Sequence, residues 1–191
     1  MKHPKVKRKK MKRTIFNKRL WDSTVAIIRY IPRALRLKRL NGLDFYKSEK
    51  LAEFRSRALR VTPETKRAWG TMETSQIFHH LNLAFGGALG YFELPDESYL
   101  LSRTFFKWLL VDWFPEQPKG LRLPLNFVIP HDQQFDLEKE QKLFVEILEK
   151  AWNTKTATDW GPHCFLGYMT YNEWGKLALV HMDYHLRQLS V

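Results

Sequence analysis

Hydrophobic residues recur at intervals of three and four along most of the chain, the spacing that places side chains on one face of an α-helix. This spacing predicts helices at residues 48–61, 74–88, 96–113, 133–152 and 170–189. A short helical turn is also expected between Thr62 and Trp69. The helix at 96–113 is so rich in leucine and aromatic residues that we expect it to be largely buried. No segment alternates convincingly with period two, so the sequence predicts an all-α fold.

A long stretch without helical spacing precedes the helix at 133–152. Residues 115–131 hold prolines at positions 115, 118, 124 and 130 and a glycine at position 120. This density of prolines predicts a connection that crosses the molecule instead of a tight turn. Four principal helices with one such crossover make a four-helix bundle the simplest architecture that buries the apolar stripes.

The positive charge of the chain is concentrated at its N-terminal end. The 191 residues have a formal net charge of +12. Residues 1–40 contain 15 lysines and arginines and one acid, Asp22, which gives this segment +14 and leaves −2 for the remainder. We therefore divide the chain into a basic N-terminal arm at 1–40 and a near-neutral domain at 41–191. The charge of that domain does not predict nucleic acid as a partner.

The arm contains an amphipathic segment that begins near residue 15 and that Pro32 should break. Two rows of mostly apolar residues run along it at helical spacing: Leu20, Thr24, Ile27 and Ile31, and Trp21, Val25 and Ile28. The interpretation that we favour is packing on the protein's own domain or on a second subunit of a homodimer. The other interpretation is contact of residues 1–31 with an anionic membrane surface.

Composition also bears on the compartment. No stretch approaches the roughly 20 apolar residues of a membrane-spanning helix, and the apolar run at 25–31 is too short and interrupted for a signal peptide. The single cysteine, Cys164, excludes an internal disulfide and fits a reducing compartment. We expect a cytoplasmic protein, peripheral at the membrane surface if the arm binds lipid. A metal site in this chain would have to be built mainly from histidine.

Two of the seven histidines stand four residues apart in the last predicted helix. His181 and His185 therefore project from one face, one turn apart, a spacing that is typical of metal ligands. Asp183 points to a different face. The helix starts at Thr170 and Glu173, which have the pattern of a capping box. Taken alone, the pair is explained equally well by two histidines that are hydrogen-bonded at a helix edge.

The positions of His79 and His80 around their predicted helix indicate which of the two is a third inward histidine. His80 has the apolar neighbours Ile77 and Leu81, whereas His79 lies nearer the polar side of the same helix. Gln76 precedes His80 by one turn and is expected to line the same cavity. Three neutral imidazoles from two helices would bind a divalent transition metal, such as zinc, nickel, iron or copper. They would leave coordination positions open for water or substrate.

Two sequence runs point to a known group of proteins. The first is W-G-T-M at 69–72, followed by Gln76 and His80. The second is H-M-D-Y-H-L-R-Q at 181–188, preceded by H-C-F-L-G at 163–167 and by Glu173-Trp174. Over about residues 48–190 the chain resembles the DinB/YfiT-like metalloenzyme superfamily, in particular its uncharacterised DinB-like branch. The resemblance implies a DinB-like bundle in which His80, His181 and His185 hold the metal.

The resemblance also implies which residues surround the metal. We expect Gln76, His163, Glu173 and Gln188 to line the cavity or to support the ligands. Members of this branch usually read H-P-x-F-G where this chain has Cys164 in place of the proline. We expect Cys164 to be a small packing residue and not a reactive thiol.

Characterised members of the superfamily include metal-dependent enzymes that use bacillithiol, mycothiol or glutathione. The resemblance therefore implies a divalent-metal-dependent enzyme that transfers or adds a low-molecular-weight thiol to an electrophilic small molecule. Zinc or nickel is the expected metal, iron is the next candidate, and a homodimer is common among relatives. Met182 stands where zinc proteases have a glutamate, so the candidate bases are Glu173, His163 and a metal-bound hydroxide. The alternative is a non-catalytic bundle that binds metal or ligand in a stress-associated role.

Overall fold

Helices form in most of the segments whose apolar residues recur at helical spacing. The computed structural model of the protein describes residues 4–121, 124–154 and 159–191, with side chains from residue 18 onward. The α-helices in this part of the chain are α1 (Pro4–Ala34), α2 (Ser48–Leu59), α3 (Thr74–Gly86), α4 (Leu137–Asn153) and α5 (Tyr171–Gln188). Short 3-10 segments lie at Gly42–Tyr46 and Leu125–Phe127. Among the described residues there is no strand beyond an isolated bridge between His163 and Gly167, and the expected all-α fold is confirmed.

Helices α2 to α5 share one hydrophobic core. Each of them contributes a large aromatic side chain that is essentially inaccessible to water: Phe54, Phe78, Phe144 and Trp174. Helix α3 packs along α4, α2 contacts both α4 and α5, and α3 also contacts α5. The two helices that carry the predicted metal ligands, α3 and α5, are therefore neighbours in the core.

Helices α4 and α5 each begin directly after a residue whose side chain caps the helix. The Thr170 side chain accepts a hydrogen bond from the backbone N–H of Glu173, and the Glu173 carboxylate accepts one from the backbone N–H of Thr170. This is the predicted capping box of α5. Helix α4 begins at Leu137, later than the predicted residue 133, because the Asp136 side chain accepts a hydrogen bond from Lys139 N and caps the helix there.

Helix α1 packs on the domain with one side. Ile27, Tyr30 and Ala34 are buried against Leu109 and Phe114. The prediction that Pro32 breaks the helix is wrong, since α1 extends to Ala34. Proline removes one backbone donor, but the next turn still closes through a hydrogen bond from the backbone N–H of residue 35 to the carbonyl oxygen of residue 31. The part of the membrane-contact prediction that concerns the side chains of residues 1–17 lies outside the described residues.

The segment at 96–113 is predicted to be a largely buried α-helix. Its helical geometry and its burial both differ from that prediction. It contains two π-helical stretches, Ser102–Phe106 and Trp108–Trp113. Leu100 is 80% exposed, and Phe105 and Trp108 are about half exposed, so the prediction of burial is wrong. Apolar residues occur on every side of this segment, and a helical stripe cannot be read from such a sequence. Within the described part of the chain, no helix has the length and apolar character needed to cross a membrane.

Candidate metal centre

Three histidines from two helices meet at the edge of the core. His80 comes from α3, and His181 and His185 come from successive turns of α5. One ring nitrogen of each lies within 4.8 Å of those of the other two. The Nε2 atoms of His80 and His181 are 3.1 Å apart. His185 is buried, with 3% of its surface exposed, whereas His80 and His181 keep part of their surface accessible.

The neighbouring histidine of α3 has a different environment. His79 Nδ1 lies 3.0 Å from Glu140 Oε1 on α4, and its ring stacks on Phe135. One residue along a helix corresponds to a rotation of about 100°, which turns His79 away from α5. The histidine that joins the group is therefore His80, on the side of α3 that helical phase selects.

An oxygen atom faces Nδ1 of each ring in the group. The carbonyl oxygen of Phe127 lies 3.0 Å from His80 Nδ1, and Gln188 Oε1 lies 2.9 Å from His185 Nδ1. Gln117 Oε1 is the partner of His181 Nδ1. Oxygens of these kinds only accept hydrogen bonds, so Nδ1 carries the proton in each ring. The lone pairs are consequently on the three Nε2 atoms.

The second contact of Gln188 fixes its amide orientation. Gln188 Nε2 donates to the carbonyl oxygen of Trp69 at 2.8 Å, so Oε1 is the atom that faces His185. The backbone N–H of Ala68 donates to the carbonyl oxygen of Gln188 at 2.8 Å. Gly70 has φ +85, and a Cβ atom there would collide with Gln188 Nε2. The Trp69-Gly70 pair thus holds the glutamine that orients His185.

The helical turn expected between Thr62 and Trp69 does not form.

The spacing of the two closest nitrogens fits a transition metal. His185 Nε2 is buried and has no hydrogen-bond partner among the described residues, although an unpaired buried acceptor is unfavourable. The oxygens at Nδ1 leave a lone pair on both His80 Nε2 and His181 Nε2, which lie 3.1 Å apart. Two nitrogens 3.1 Å apart, each about 2.0–2.1 Å from one ion, subtend an angle of about 100° at that ion, within the range of tetrahedral and octahedral sites. The group could therefore hold a metal ion.

The electrostatic environment keeps the rings neutral. Burial lowers the pKa of His80 to about 4, opposed by its hydrogen bond to Phe127. Burial also lowers the pKa of His181 and His185 well below 6.5, and the mutual repulsion of the protonated rings lowers it further. Neutral imidazole is the form that binds metal. Near pH 7 no proton competes for the three Nε2 atoms.

Two of the expected supporting residues lie elsewhere. Gln76 Nε2 donates to the carbonyl oxygens of Pro130, His131 and Gln133, at 3.2, 3.3 and 2.9 Å, and thereby ties the crossover connection to the start of α3. Its Oε1 accepts from Glu73 N at 2.9 Å in a capping box. The pattern Glu73-x-x-Gln76 is the sequence signal for this second role.

Glu173 is held at the first turn of α5. One carboxylate oxygen accepts from the backbone N–H of Thr170, and the other lies 3.3 Å from Lys107 Nζ. It is two turns of helix from His181, a distance along the axis of about 12 Å. The structure therefore assigns Glu173 to the cap of α5 and to an ion pair with the π-helical segment.

His163 lies near the group with the opposite hydrogen-bond pattern. It is buried, and its Nδ1 accepts hydrogen bonds from the backbone N–H groups of Phe165 and Leu166, both at 3.1 Å. The proton of the neutral ring is therefore on Nε2, and burial lowers the pKa of His163 to about 4. The adjacent Cys164 is buried, and burial raises the pKa of its thiol to about 11, as expected of a packing residue.

Two openings lie near the three histidines, although neither is lined by His80, His181 or His185. A cavity of about 530 Å³ is lined in part by His163, Cys164 and Phe127. The Phe127 ring lies edge-on to both His80 and His163, with centroids 5.7 and 5.6 Å away, and so borders the cavity on the side of the histidine group. A groove of about 1120 Å³ lies between α1 and the bundle, and it is lined in part by Trp21, Trp69, Gln117 and Tyr184.

Sequence reasoning missed two of the groups that orient the ligands. Gln117 lies in the crossover connection, and the Phe127 contact uses a backbone carbonyl. A backbone acceptor leaves no trace in the residue types, and nothing in the spacing of residues 115–131 indicates which side chain turns inward. Gln188 is the expected supporting residue that does contact a histidine of the group.

The fold and the site together define a class of protein: a helical protein with three convergent histidines that could hold a metal ion. The chain belongs to the family described as "Protein of unknown function (DUF1569)", whose family model matches residues 39–191. No curated protein and no solved structure matches the chain. Helix α1 precedes the matched residues, whereas all three histidines lie within them.

Proposed function

We propose that the protein binds a divalent transition metal through the Nε2 atoms of His80, His181 and His185 and acts as a DinB-like metal-dependent enzyme. One observation carries the proposal: an oxygen faces each Nδ1, so three lone pairs are directed into one space. Zinc and nickel are the preferred metals and iron is the next, because imidazole suits all three and the group consists of histidine alone.

A set of three protein ligands leaves coordination positions open, as in catalytic zinc sites. A bound metal would supply Lewis acidity and lower the pKa of a thiol held next to it. We propose a low-molecular-weight thiol and an electrophilic small molecule as substrates. The thiol sulfur forms a bond to the electrophilic carbon, the leaving group departs with its bonding electron pair, and the thiol proton passes to solvent.

The residues around the histidines have supporting roles in this proposal. Gln188, Gln117 and the Phe127 carbonyl orient the three rings, the role of outer hydrogen-bond partners in metal sites. His163 carries its proton on Nε2 and acts as a hydrogen-bond donor, not as a base. Glu173 is engaged at the cap of α5. We propose that solvent takes the proton and that substrate approaches the histidines from the groove that Gln117 lines.

Metal content is the first test. We expect elemental analysis of protein purified without chelator to find stoichiometric zinc, nickel or iron. His185→Ala should lose this metal while its circular dichroism shows an intact helical fold. His79→Ala is the matched control, since His79 pairs with Glu140 instead, and it should keep the metal. Metal-free wild-type protein, or full metal content in His185→Ala, would contradict the proposal.

Turnover separates an enzyme from a non-catalytic metal-binding bundle. Glutathione, bacillithiol and mycothiol would each be incubated with the metal-loaded protein and a chromogenic aryl halide. We expect at least one thiol to form a thioether faster than in protein-free buffer, and His185→Ala to abolish the excess rate. A protein that holds metal but accelerates none of these reactions would support a bundle that binds metal or ligand without catalysis.

A further inference from the structure

Helix α1 has an apolar stripe that the domain does not cover. Trp21, Ile28 and Leu35 are spaced seven residues apart and are 69%, 60% and 70% exposed. Residues seven apart share one side of a helix. Leu35 follows the last residue of α1, and its backbone N–H still bonds to the carbonyl oxygen of residue 31, so it continues the stripe. We refer to Trp21, Ile28 and Leu35 as the α1 stripe.

The stripe is separate from the side of α1 that packs on the domain. Ile27 and Tyr30 are buried there against Leu109 and Phe114. Successive helical positions differ by about 100°, so Ile28 is turned away from Ile27 and further still from Tyr30. The helix therefore has two apolar sides, one buried by this chain and one left to another partner. The three exposed side chains follow one line along the helix and are not scattered singly over the surface.

Charge selects the kind of partner. Lys18, Arg29 and Arg36 are exposed beside the stripe, and Arg29 and Arg36 each directly follow a residue of the stripe. Residues 1–40 carry 15 basic side chains and one acid. Two copies of this segment brought face to face would repel each other, whereas a negatively charged surface would attract it. Tryptophan flanked by arginine and lysine is also the composition of helices that lie in the membrane interface.

We infer that α1 docks the protein on an anionic lipid bilayer, with the α1 stripe inserted between headgroups and the basic residues on anionic lipid phosphates and carboxylates. The opposite side of α1 stays packed on Leu109 and Phe114, so docking requires no rearrangement of the domain. Trp21 also lines the groove that leads to Gln117. Docking therefore brings the groove next to the lipid surface, while the bundle that holds the histidines remains in water.

The test measures co-sedimentation of the full-length protein with vesicles. Vesicles of phosphatidylcholine alone are compared with vesicles that also contain phosphatidylserine, at low and high salt. We expect binding that requires phosphatidylserine and weakens with salt. Trp21→Ala should lower the partition coefficient about tenfold, since burial of one large apolar side chain is lost.

A matched pair of substitutions tests whether the α1 stripe is the surface that binds the vesicles. Leu35→Ala should lower binding several-fold. Leu59→Ala, which removes another exposed leucine, at the end of α2, should leave it unchanged. Arg36→Gln should lower binding about fivefold at low salt and less at high salt. All three positions are exposed, and circular dichroism should show an unchanged fold.

Three outcomes would overturn the inference. The first is equal binding to both kinds of vesicle, and the second is unchanged binding of Trp21→Ala. The third is a dimer in light scattering that Trp21→Ala or Leu35→Ala converts to a monomer without any vesicle binding, because the stripe would then pair two copies of the chain. None of these readouts depends on metal, so the inference can fail while the proposed function stands.

Discussion

In the three-histidine group each Nδ1 faces an oxygen, whereas in the turn at His163 Nδ1 faces two backbone N–H groups. The two regions therefore hold neutral imidazole in opposite tautomers. The group presents three Nε2 lone pairs to one another, and His163 presents an Nε2 proton. Burial lowers the pKa in both regions, so burial does not distinguish them.

The difference shows that the hydrogen-bond partner decides what a buried histidine can do. An oxygen at Nδ1 prepares the ring to bind a cation, and an N–H group at Nδ1 prepares it to donate. The Phe127 side chain contacts a histidine of each kind, since its ring lies edge-on to His80 and His163. Substitutions in the two regions should therefore separate metal affinity from fold stability.

The largest expected effect is the loss of a ligand. His80→Ala should weaken zinc or nickel binding more than about a hundredfold, because structural zinc sites gain several kcal/mol per ligand. Isothermal titration of the metal into chelator-treated protein measures this change. The substitution leaves Phe127 O without its donor, which should cost about 1 kcal/mol of folding stability.

His79→Ala provides the comparison one residue away. It removes the contact with Glu140 and the stacking on Phe135. We expect metal affinity within a few-fold of the wild type. Equal losses of affinity in the two variants would mean that the convergence of the three rings has no role in metal binding.

The next effect should come from the glutamine that orients His185. Gln188→Ala removes the oxygen at His185 Nδ1 and frees the ring to change its tautomer. Metal affinity should fall about 10–100-fold, the usual consequence of removing an outer hydrogen-bond partner. Titration of zinc or nickel into Gln188→Ala measures it. Gly70→Ala should act in the same direction, since its Cβ would displace Gln188 Nε2.

Gln141→Ala is a suitable control for this prediction. Gln141 also donates to carbonyl oxygens, those of Ala58 and Val61, but it has no contact with a histidine. Its substitution should lower the free energy of unfolding and leave the metal affinity unchanged. If Gln141→Ala weakened metal binding as much as Gln188→Ala, general loosening of the fold would explain both results.

The sequence is informative about the histidines of the group because they lie on regular helices. Helical phase alone separates His80 from His79, and the spacing of His181 and His185 places both on one side of α5. The partners of Nδ1 are less predictable. Gln117 and the Phe127 carbonyl lie in the crossover connection, and the path of a connection depends on contacts between residues that are far apart in sequence.

The same reasoning explains the errors in the fold. The predicted apolar rows of α1 include Ile27 of the buried side but not Tyr30 or Ala34. Burial there depends on Leu109 and Phe114, in and directly after a segment whose π-helical geometry has no periodic signal. Gln76 is correctly placed one turn before His80, yet its amide faces the carbonyls at 130–133. The position of a residue on a helix follows from the neighbouring sequence. Its hydrogen-bond partner depends on residues that are far away in the sequence.

The smallest effect concerns the acid sensitivity of the fold at His163. The pKa of His163 falls from 6.5 in the unfolded chain to about 4 in the folded protein. Protonation therefore favours unfolding: the contribution of His163 is fully present above about pH 6.5 and is lost as the pH falls toward about 4. At about pH 5.5 the folded state should have lost roughly 1 kcal/mol through this residue.

His163→Asn should remove that part of the pH dependence. The Asn oxygen can accept from Phe165 N and Leu166 N in place of Nδ1, and it does not titrate. Denaturant unfolding between about pH 7 and 5.5 should show a smaller loss of stability in the variant than in the wild type. Metal affinity at neutral pH should stay within a few-fold, since His163 presents a proton and not a lone pair. A hundredfold loss of metal affinity in His163→Asn would contradict this tautomer and place His163 among the ligands.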